Sequence, residues 1–304
     1  MAARFSSSPV PLGLHGSSSL ELLRSLGSAF GHLAAWVGFY VGGCVALAGL
    51  LLNGSVSILA VAIAIPAAMG TYLIDRARPL PGRVDPADTV AHASRAALMV
   101  RSGGLIRVGA VVLLALASVL ALSMSPLAIV VVVGAPVGVL IYSHRGQHTR
   151  PKDRLIVKNA FVAVSIVTLV LVLLSHVHQS AVMAVVGGFL LLHVFADAML
   201  CDIDDRHADA RFGTRTIPNT LGVAATWRLA IMMDLMALVL LILAAWWDLL
   251  PWPPAMLLGL TTLSATVILA SLPVTRVKDF VDLKLPVAVL VGWVGLSLAG
   301  GVAS

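Results

Sequence analysis

Nine separate stretches of this chain stay apolar for the length of a bilayer crossing, and that pattern alone excludes most folds. They run at roughly 31–52, 55–74, 105–124, 126–143, 157–177, 180–200, 223–247, 254–272 and 285–303. A helix rises 1.5 Å per residue, so about 20 apolar residues cross a hydrocarbon core of about 30 Å. Lipid offers no partner to a backbone N–H or C=O, which leaves helices as the solution for runs of this kind. The runs flanking Ser125 and Gln179 are joined by very short turns. Each pair totals about 40 residues, twice a crossing, and so reads as two helices. The expectation is an all-α polytopic membrane protein. Residues 1–26 form an N-terminal segment with a short amphipathic lead-in at 19–26, and 27–304 form one membrane domain. The composition agrees: 11% of residues are charged and 59% hydrophobic, against about a quarter charged in a soluble domain.

Basic residues then orient the chain. With the N-terminus in the cytosol and nine spans, all 20 Lys and Arg fall on one side, as the positive-inside rule requires. Arg4 and Arg24 precede the first span. Arg76, Arg78, Arg83, Arg95, Arg101 and Arg107 flank the first inner loop, and Arg145, Arg150, Lys152, Arg154 and Lys158 the second. Arg206, Arg211, Arg215 and Arg228 surround the third, and Arg276, Lys278 and Lys284 the fourth. The net charge of +6 therefore calls for no nucleic acid. No secretory signal precedes the first span, which again puts the N-terminus inside. Cys44 and Cys201 lack zinc-type companions and sit too differently in the spans to pair. Trp246, Trp247 and Trp252 read as interfacial anchors.

Against this background the segment 201–214 stands out, with Asp202, Asp204, Asp205 and Asp209 holding four of the chain's 14 acidic residues. If the sixth span continues as a helix, Asp202, Asp205 and Asp209 share one face and Asp204 turns away. Like charges at that spacing repel unless a cation lies among them. Mg²⁺ uses one or two carboxylates together with substrate phosphates, so such a face suits a metal–diphosphate complex. Arg206 and Arg211 could add charge-assisted contacts to phosphate oxygens. Gly213, Thr214 and Pro218 mark a turn before the seventh span. An EF-hand does not fit, since the glycine at its sixth loop position is absent.

The run Asp202-Ile-Asp-Asp205-Arg-His-Ala-Asp209-Ala-Arg-Phe-Gly213-Thr-Arg-Thr216-Ile-Pro218-Asn-Thr-Leu-Gly222 resembles the second aspartate motif of the UbiA superfamily of intramembrane prenyltransferases. The family's first motif, Asn-x-x-x-Asp-x-x-x-Asp at the end of span two, is matched in part. Thr71 stands for the Asn, Asp75 matches the central Asp, and Pro79 replaces the last; Asp85 and Asp88 follow downstream. The resemblance implies helices bundled around a central cavity, with two acidic loops holding a polyprenyl diphosphate through Mg²⁺. On that basis Asp75, Asp202, Asp205 and Asp209 are the candidate metal ligands, with Asp75, Asp205 and Asp209 central to catalysis. Tyr72, Arg76, Tyr142, Lys152, Lys158, Asn159 and Arg206 are the candidate substrate contacts. A snorkelling Asp–Arg pair at Asp75–Arg76, or membrane anchoring by Lys158, remains the alternative reading of those positions.

The reaction expected from the resemblance is transfer of a prenyl group to a lipophilic acceptor, an aromatic or quinone-precursor molecule, at the inner face of a bacterial cytoplasmic membrane. A terpene cyclase or prenyl-diphosphate hydrolase would use the same site, and a non-catalytic lipid-binding or assembly subunit is the alternative from another class. His193, Asp197 and Asp234 lie well inside spans, where an ionisable residue costs about 2.5–3.5 kcal/mol on insertion scales. Asp197 is expected to face the same cavity as Asp202, His193 to hydrogen-bond between helices, and Asp234 is left without an assigned partner. Prenyl length, acceptor and oligomeric state are not legible in these residues.

Overall fold

The computed structural model describes residues 31–77, 86–143, 151–175, 180–272 and 277–298. The amphipathic lead-in, Arg78, Pro79, Arg83, Asp85, Arg145, Arg150, Gln179 and Arg276 lie outside them, as do the side chains of Asp88 and Lys152. Among the described residues the secondary structure is helical throughout: α1 (Ala35–Asn53), α2 (Ile58–Arg76), α3 (Pro86–Ala91), α4 (Ala93–Leu122), α5 (Pro126–Tyr142), a 3₁₀ turn (Pro151–Asp153), α6 (Val157–Leu174), α7 (Ser180–Arg211), α8 (Ile217–Leu221), α9 (Val223–Trp246), α10 (Trp252–Ser271) and α11 (Val277–Leu298). Eight of these are long and apolar enough to cross a membrane, and α5, at 17 residues, is a shorter apolar helix. Together they account for the nine expected spans.

Neighbouring helices follow chain order around the bundle, and α1 sits inside it, packed on α2, α6, α7, α10 and α11. Burial tracks that placement: 78% of the apolar window of α1 is buried, against 22% for α4, whose Val100, Leu105, Val108, Val111 and Val112 remain exposed as lipid-facing residues would. Close approach of α1 to α2 depends on Gly38 and Gly42, four residues apart. A Cβ there would lie 2.6 Å from Met69 Cγ and 2.8 Å from Ile65 Cγ1. Small residues at this spacing let membrane helices meet where lipid removes any hydrophobic drive for them to do so. Serines begin two spans: Ser57 Oγ accepts from the Ala60 N–H and Ser125 Oγ from the Ala128 N–H, each satisfying an orphan donor of a helix start.

Two boundaries differ from the sequence expectation. α4 starts at Ala93 rather than near 105, because Arg95, Arg101 and Arg107 interrupt the apolar run without breaking the helix. α11 starts at Val277 rather than near 285, which carries Lys284, expected in an inner loop, into a helix where it is buried. The expected continuation of the sixth span is present. α7 has 32 residues, about 48 Å of helix, and so outruns a hydrocarbon core by several turns. Its acidic end is the part left over.

Candidate active site

The carboxylates of α7 meet partners from other elements. Lys158 Nζ, on the first turn of α6, lies 2.7 Å from Asp202 Oδ1 and 3.1 Å from Asp209 Oδ2. Asn159 Nδ2 donates to Asp202 Oδ2 at 3.0 Å. Asp205 is engaged from another direction, by His92 Nε2 at 2.9 Å. His92 occupies the turn between α3 and α4. Asp204 does turn away, and it accepts from the N–H groups of Val277 (3.3 Å) and Lys278 (2.9 Å). These are donors of the first turn of α11, which have no partner inside their own helix.

Connections between inner loops hold α6 and α7 in this relation. Thr214 Oγ1 donates to Asp153 Oδ1 at 2.9 Å, and the Arg215 N–H donates to the Asp153 carbonyl at 3.0 Å. After α7 the chain turns at Gly213 with φ of 79°, a left-handed conformation that a side chain would strain. Asn219 secures the next corner, accepting from the Thr216 N–H and donating to the Thr214 carbonyl.

A cavity of about 260 Å³ lies between α1, α2, α5 and α6. Most of its wall is Val, Ala, Ile and Leu. Thr71, Tyr72, Asp75, Arg76, Tyr142 and Lys158 line it as well, all of them at the helix ends nearest the acidic segment. The Thr71 hydroxyl, at the position where the resemblance expects Asn, is buried with no hydrogen-bond partner. Tyr142 stacks on Phe161 with ring centres 4.2 Å apart and planes within 4°. Arg76 lies over the Tyr72 ring, 4.8 Å from its centre, and Arg95 Nη1 donates to the Tyr72 hydroxyl at 3.3 Å. Lys158 belongs to both halves: it lines the cavity and bridges Asp202 and Asp209.

The donor set was tested against Mg²⁺. Among the described residues no three His, Cys, Asp or Glu side chains converge as a closed protein cage would need. Asp202 and Asp209 nevertheless converge on one cationic position, the Lys158 ammonium, and the adjacent Asn159 Oδ1 is a buried oxygen with no hydrogen-bond partner. Hard oxygen donors, two carboxylates and an open remainder fit a Mg²⁺ that arrives with phosphate oxygens and waters.

Of the residues singled out in the sequence, Asp75, Tyr72, Arg76, Tyr142 and Lys158 come together at the cavity; Asp202 and Asp209 adjoin it through Lys158, Asn159 bonds Asp202, and Asp205 is held by His92. Arg206 folds back onto the Ile203 carbonyl at 2.7 Å. Asp197 does not line the cavity. It joins Lys284 and Tyr40 on another side of α7, because a residue five positions before Asp202 points about 140° round the helix from it. Asp234 pairs with His193 at 2.7 Å, whereas Arg228 Nε bonds the Ala224 carbonyl of its own helix. Sequence reading missed His92 and assigned Arg95 only to orientation. His92 precedes the first residue of α4 and Arg95 lies on its first turn, and no local pattern in the sequence marked either as a partner of the site.

Residues 101–286 match the model of the UbiA prenyltransferase family. No curated protein matches the sequence. Solved structures do. One, described as concerning digeranylgeranylglyceryl phosphate synthase in membranes, is 14% identical, with a TM-score of 0.56 over 91% of this chain and 99% of that one. A UbiA homologue from Archaeoglobus fulgidus bound to DMAPP and Mg²⁺ is 13% identical, with a TM-score of 0.58 over 87% of this chain and 96% of that one. An apo UbiA homologue from Aeropyrum pernix K1 is 15% identical, with a TM-score of 0.54 over 89% and 98% respectively. These likenesses establish the fold.

Proposed function

The chain belongs to the UbiA prenyltransferase family, and on that premise we propose that it moves a prenyl group from a polyprenyl diphosphate to a lipophilic acceptor, an aromatic or quinone-precursor molecule, within the membrane. The observation that carries this reading is the position of Lys158, whose ammonium lines an apolar cavity and also touches the acidic face of α7. A prenyl diphosphate has the same two-part character, an apolar chain and a polyanionic head.

In this reading the apolar cavity wall receives the isoprenoid chain, and Lys158, Arg76 and Tyr142 meet the head. Asp202, Asp205 and Asp209, with Asp75 across the cavity mouth, are the residues that would hold Mg²⁺. When bound, Mg²⁺ would spread the negative charge that builds on the leaving diphosphate. Cleavage of the C–O bond leaves the electron pair on the diphosphate and an allylic cation in the cavity. The Lys158 ammonium stabilises the departing oxygens by charge-assisted hydrogen bonds in a water-poor site, where such donors are strongest. The cavity wall keeps water from the cation until a nucleophilic carbon or oxygen of the acceptor bonds to it and gives up its proton. In this reading the site faces the cytosol from a bacterial cytoplasmic membrane, an orientation that the positive-inside pattern supports.

The test is incubation of the protein in lipid nanodiscs with Mg²⁺ and radiolabelled prenyl diphosphates from five to twenty carbons, with and without quinone-precursor or aromatic acceptors. A prenylated acceptor and released diphosphate are expected, both lost in Asp205→Ala and Asp209→Ala. Diphosphate release without acceptor, giving a cyclised or hydrolysed chain, would replace transfer by the cyclase or hydrolase reading. No release from any chain length would overturn the enzymatic reading.

A further inference from the structure

Behind the acidic end of α7, on the side away from the cavity, four ionisable side chains close a ring. Asp197 Oδ1 bonds Lys284 Nζ. Lys284 Nζ lies 3.6 Å from Asp234 Oδ2. Asp234 Oδ1 bonds His193 Nδ1 at 2.7 Å, and His193 Nε2 lies 3.4 Å from Asp197 Oδ2. Acid and base alternate, and each carboxylate gives one oxygen to Lys284 and the other to His193. Tyr40 donates to Asp197 Oδ2 at 2.8 Å, and Thr266 donates to Asp234 while accepting from Lys284 at 2.7 Å. All four ring side chains are at most 2% exposed, and the six groups come from α1, α7, α9, α10 and α11. Nothing in the proposed reaction uses them.

Charged groups at membrane depth are costly, so a ring of four needs a reason. Apolar helix faces in lipid exchange one another for acyl chains with little preference, and apolar contact is not directional. Such contacts set the rotation of a long helix poorly. Hydrogen bonds with fixed donor and acceptor positions set it well, and register is the best-attested use of a buried ionic group. α7 carries both constellations on one continuous helix. Counting about 100° per residue, Asp202, Asp205 and Asp209 project about 140°, 80° and 120° round from Asp197. The ring therefore grips α7 at roughly a right angle to the face that presents the site. A rotation of about 20° would swing a carboxylate held about 6 Å from the helix axis by about 2 Å. A misplacement of even about 1 Å costs on the order of a hundredfold in a preorganised site.

We propose that the Asp197–Lys284–Asp234–His193 ring sets the rotation of α7, so that Lys284 and Asp234 act as positioning residues for Asp202, Asp205 and Asp209. The proposal rests on the diphosphate reading of that site. Its test is the paired variant Asp197→Asn/Lys284→Met, which removes one acid and one base together and leaves no net charge change.

Three readouts are taken in nanodiscs: thermal unfolding, Mg²⁺-dependent affinity for an unreactive geranylgeranyl thiodiphosphate, and ligand-free spin-label distances between Ala210→Cys on α7 and Ala97→Cys on α4, with Cys44 and Cys201 replaced. The expected result is unfolding within a few degrees of the parent, affinity weakened 10- to 100-fold, and a shifted or broadened distance distribution. Affinity within twofold of the parent, or an unchanged distance distribution, overturns the proposal. If the pair fails to fold, Lys284→Arg, which keeps the charge and displaces it, is judged by the same criteria. A parent protein that binds no prenyl thiodiphosphate overturns the diphosphate reading instead, and the spin-label distances still decide whether the ring sets α7.

Discussion

Replacing Lys158 by Met removes a side chain shared by the cavity and the acidic face, and its consequences separate a working site from a decorative ion pair. Asp202 and Asp209 are 5% and 8% exposed, and Lys158 is 25% exposed. Breaking a buried pair by deleting one partner costs about 3–5 kcal/mol. Lys158 is only partly buried and Asn159 still donates to Asp202, so the loss is lower, at about 2 kcal/mol. For a chain of this size that corresponds to a fall of about 3 °C in Tm. Mg²⁺ without substrate then provides an internal control. In the parent the ammonium already occupies the converging point of the two carboxylates, whereas in Lys158→Met that point is open to the ion. At ten times its Kd the cation would return about 1.4 kcal/mol to the variant, so the Mg²⁺-induced rise in Tm is larger in the variant than in the parent. Diphosphate release, by contrast, falls about a hundredfold at saturating Mg²⁺, because one charged donor to the leaving oxygens is gone. Differential scanning fluorimetry in nanodiscs and a diphosphate-release assay read these effects separately. An unchanged Tm with an unchanged Mg²⁺ response would show that the carboxylates do not depend on Lys158, and the bridging role would be wrong.

Four further outcomes follow from the same geometry. Asp204→Ala removes the acceptor for the Val277 and Lys278 N–H groups and lowers stability by about 1 kcal/mol, as loss of a helix cap does, while kcat changes less than twofold in the release assay. His92→Phe frees Asp205 from its 2.9 Å contact; Mg²⁺ affinity, followed by Mn²⁺ paramagnetic relaxation, changes at least threefold. Ala135→Phe fills the cavity wall and raises KM for twenty-carbon diphosphates more than for five-carbon ones, measured across a chain-length series. Gly38→Val places side-chain atoms against Met69 and costs about 1–3 kcal/mol through overpacking, visible as a lower Tm without a change in prenyl-chain preference.

Most of the bundle was legible because its signal is local. A span is a run of apolar residues, and Ser125 and Gly213 mark turns beside one. The orientation of Asp204 away from Asp202, Asp205 and Asp209 was also legible, since helical spacing decides it without knowledge of any neighbour. His92 was not, because its role depends on where the segment after α2 returns to the bundle, a contact 113 residues apart in sequence. Lys284 was misplaced for a different reason. The apolar run resumes at Leu285, so a window of hydropathy opens eight residues after the helix starts at Val277 and assigns the lysine to a loop. Asp197 and Asp234 carried the missing hint: two carboxylates inside spans imply a base at the same depth, and Lys284 directly borders the last apolar run.

The two polar constellations on α7 differ in openness, and that difference matches what each would have to do. At the acidic end, Asp202 and Asp209 share a lysine that is a quarter exposed, Asn159 keeps a buried oxygen without a partner, and Thr71 adds an unpartnered hydroxyl in the cavity wall. Such a site has bonding capacity left for a ligand. In the ring, both carboxylates direct an oxygen to Lys284 and an oxygen to His193, Tyr40 and Thr266 supply further donors, and water is excluded. A set of this kind, bonded mostly within itself and with His193 Nε2 left only its 3.4 Å contact to Asp197, loses rigidity if any member moves. A helix that must present charge at its wet end, yet is surrounded by interchangeable apolar contacts for most of its length, needs a fixed point in the dry part. The α7 members of the ring, His193 and Asp197, lie five to sixteen residues before the carboxylates they would hold in place, on the same unbroken helix.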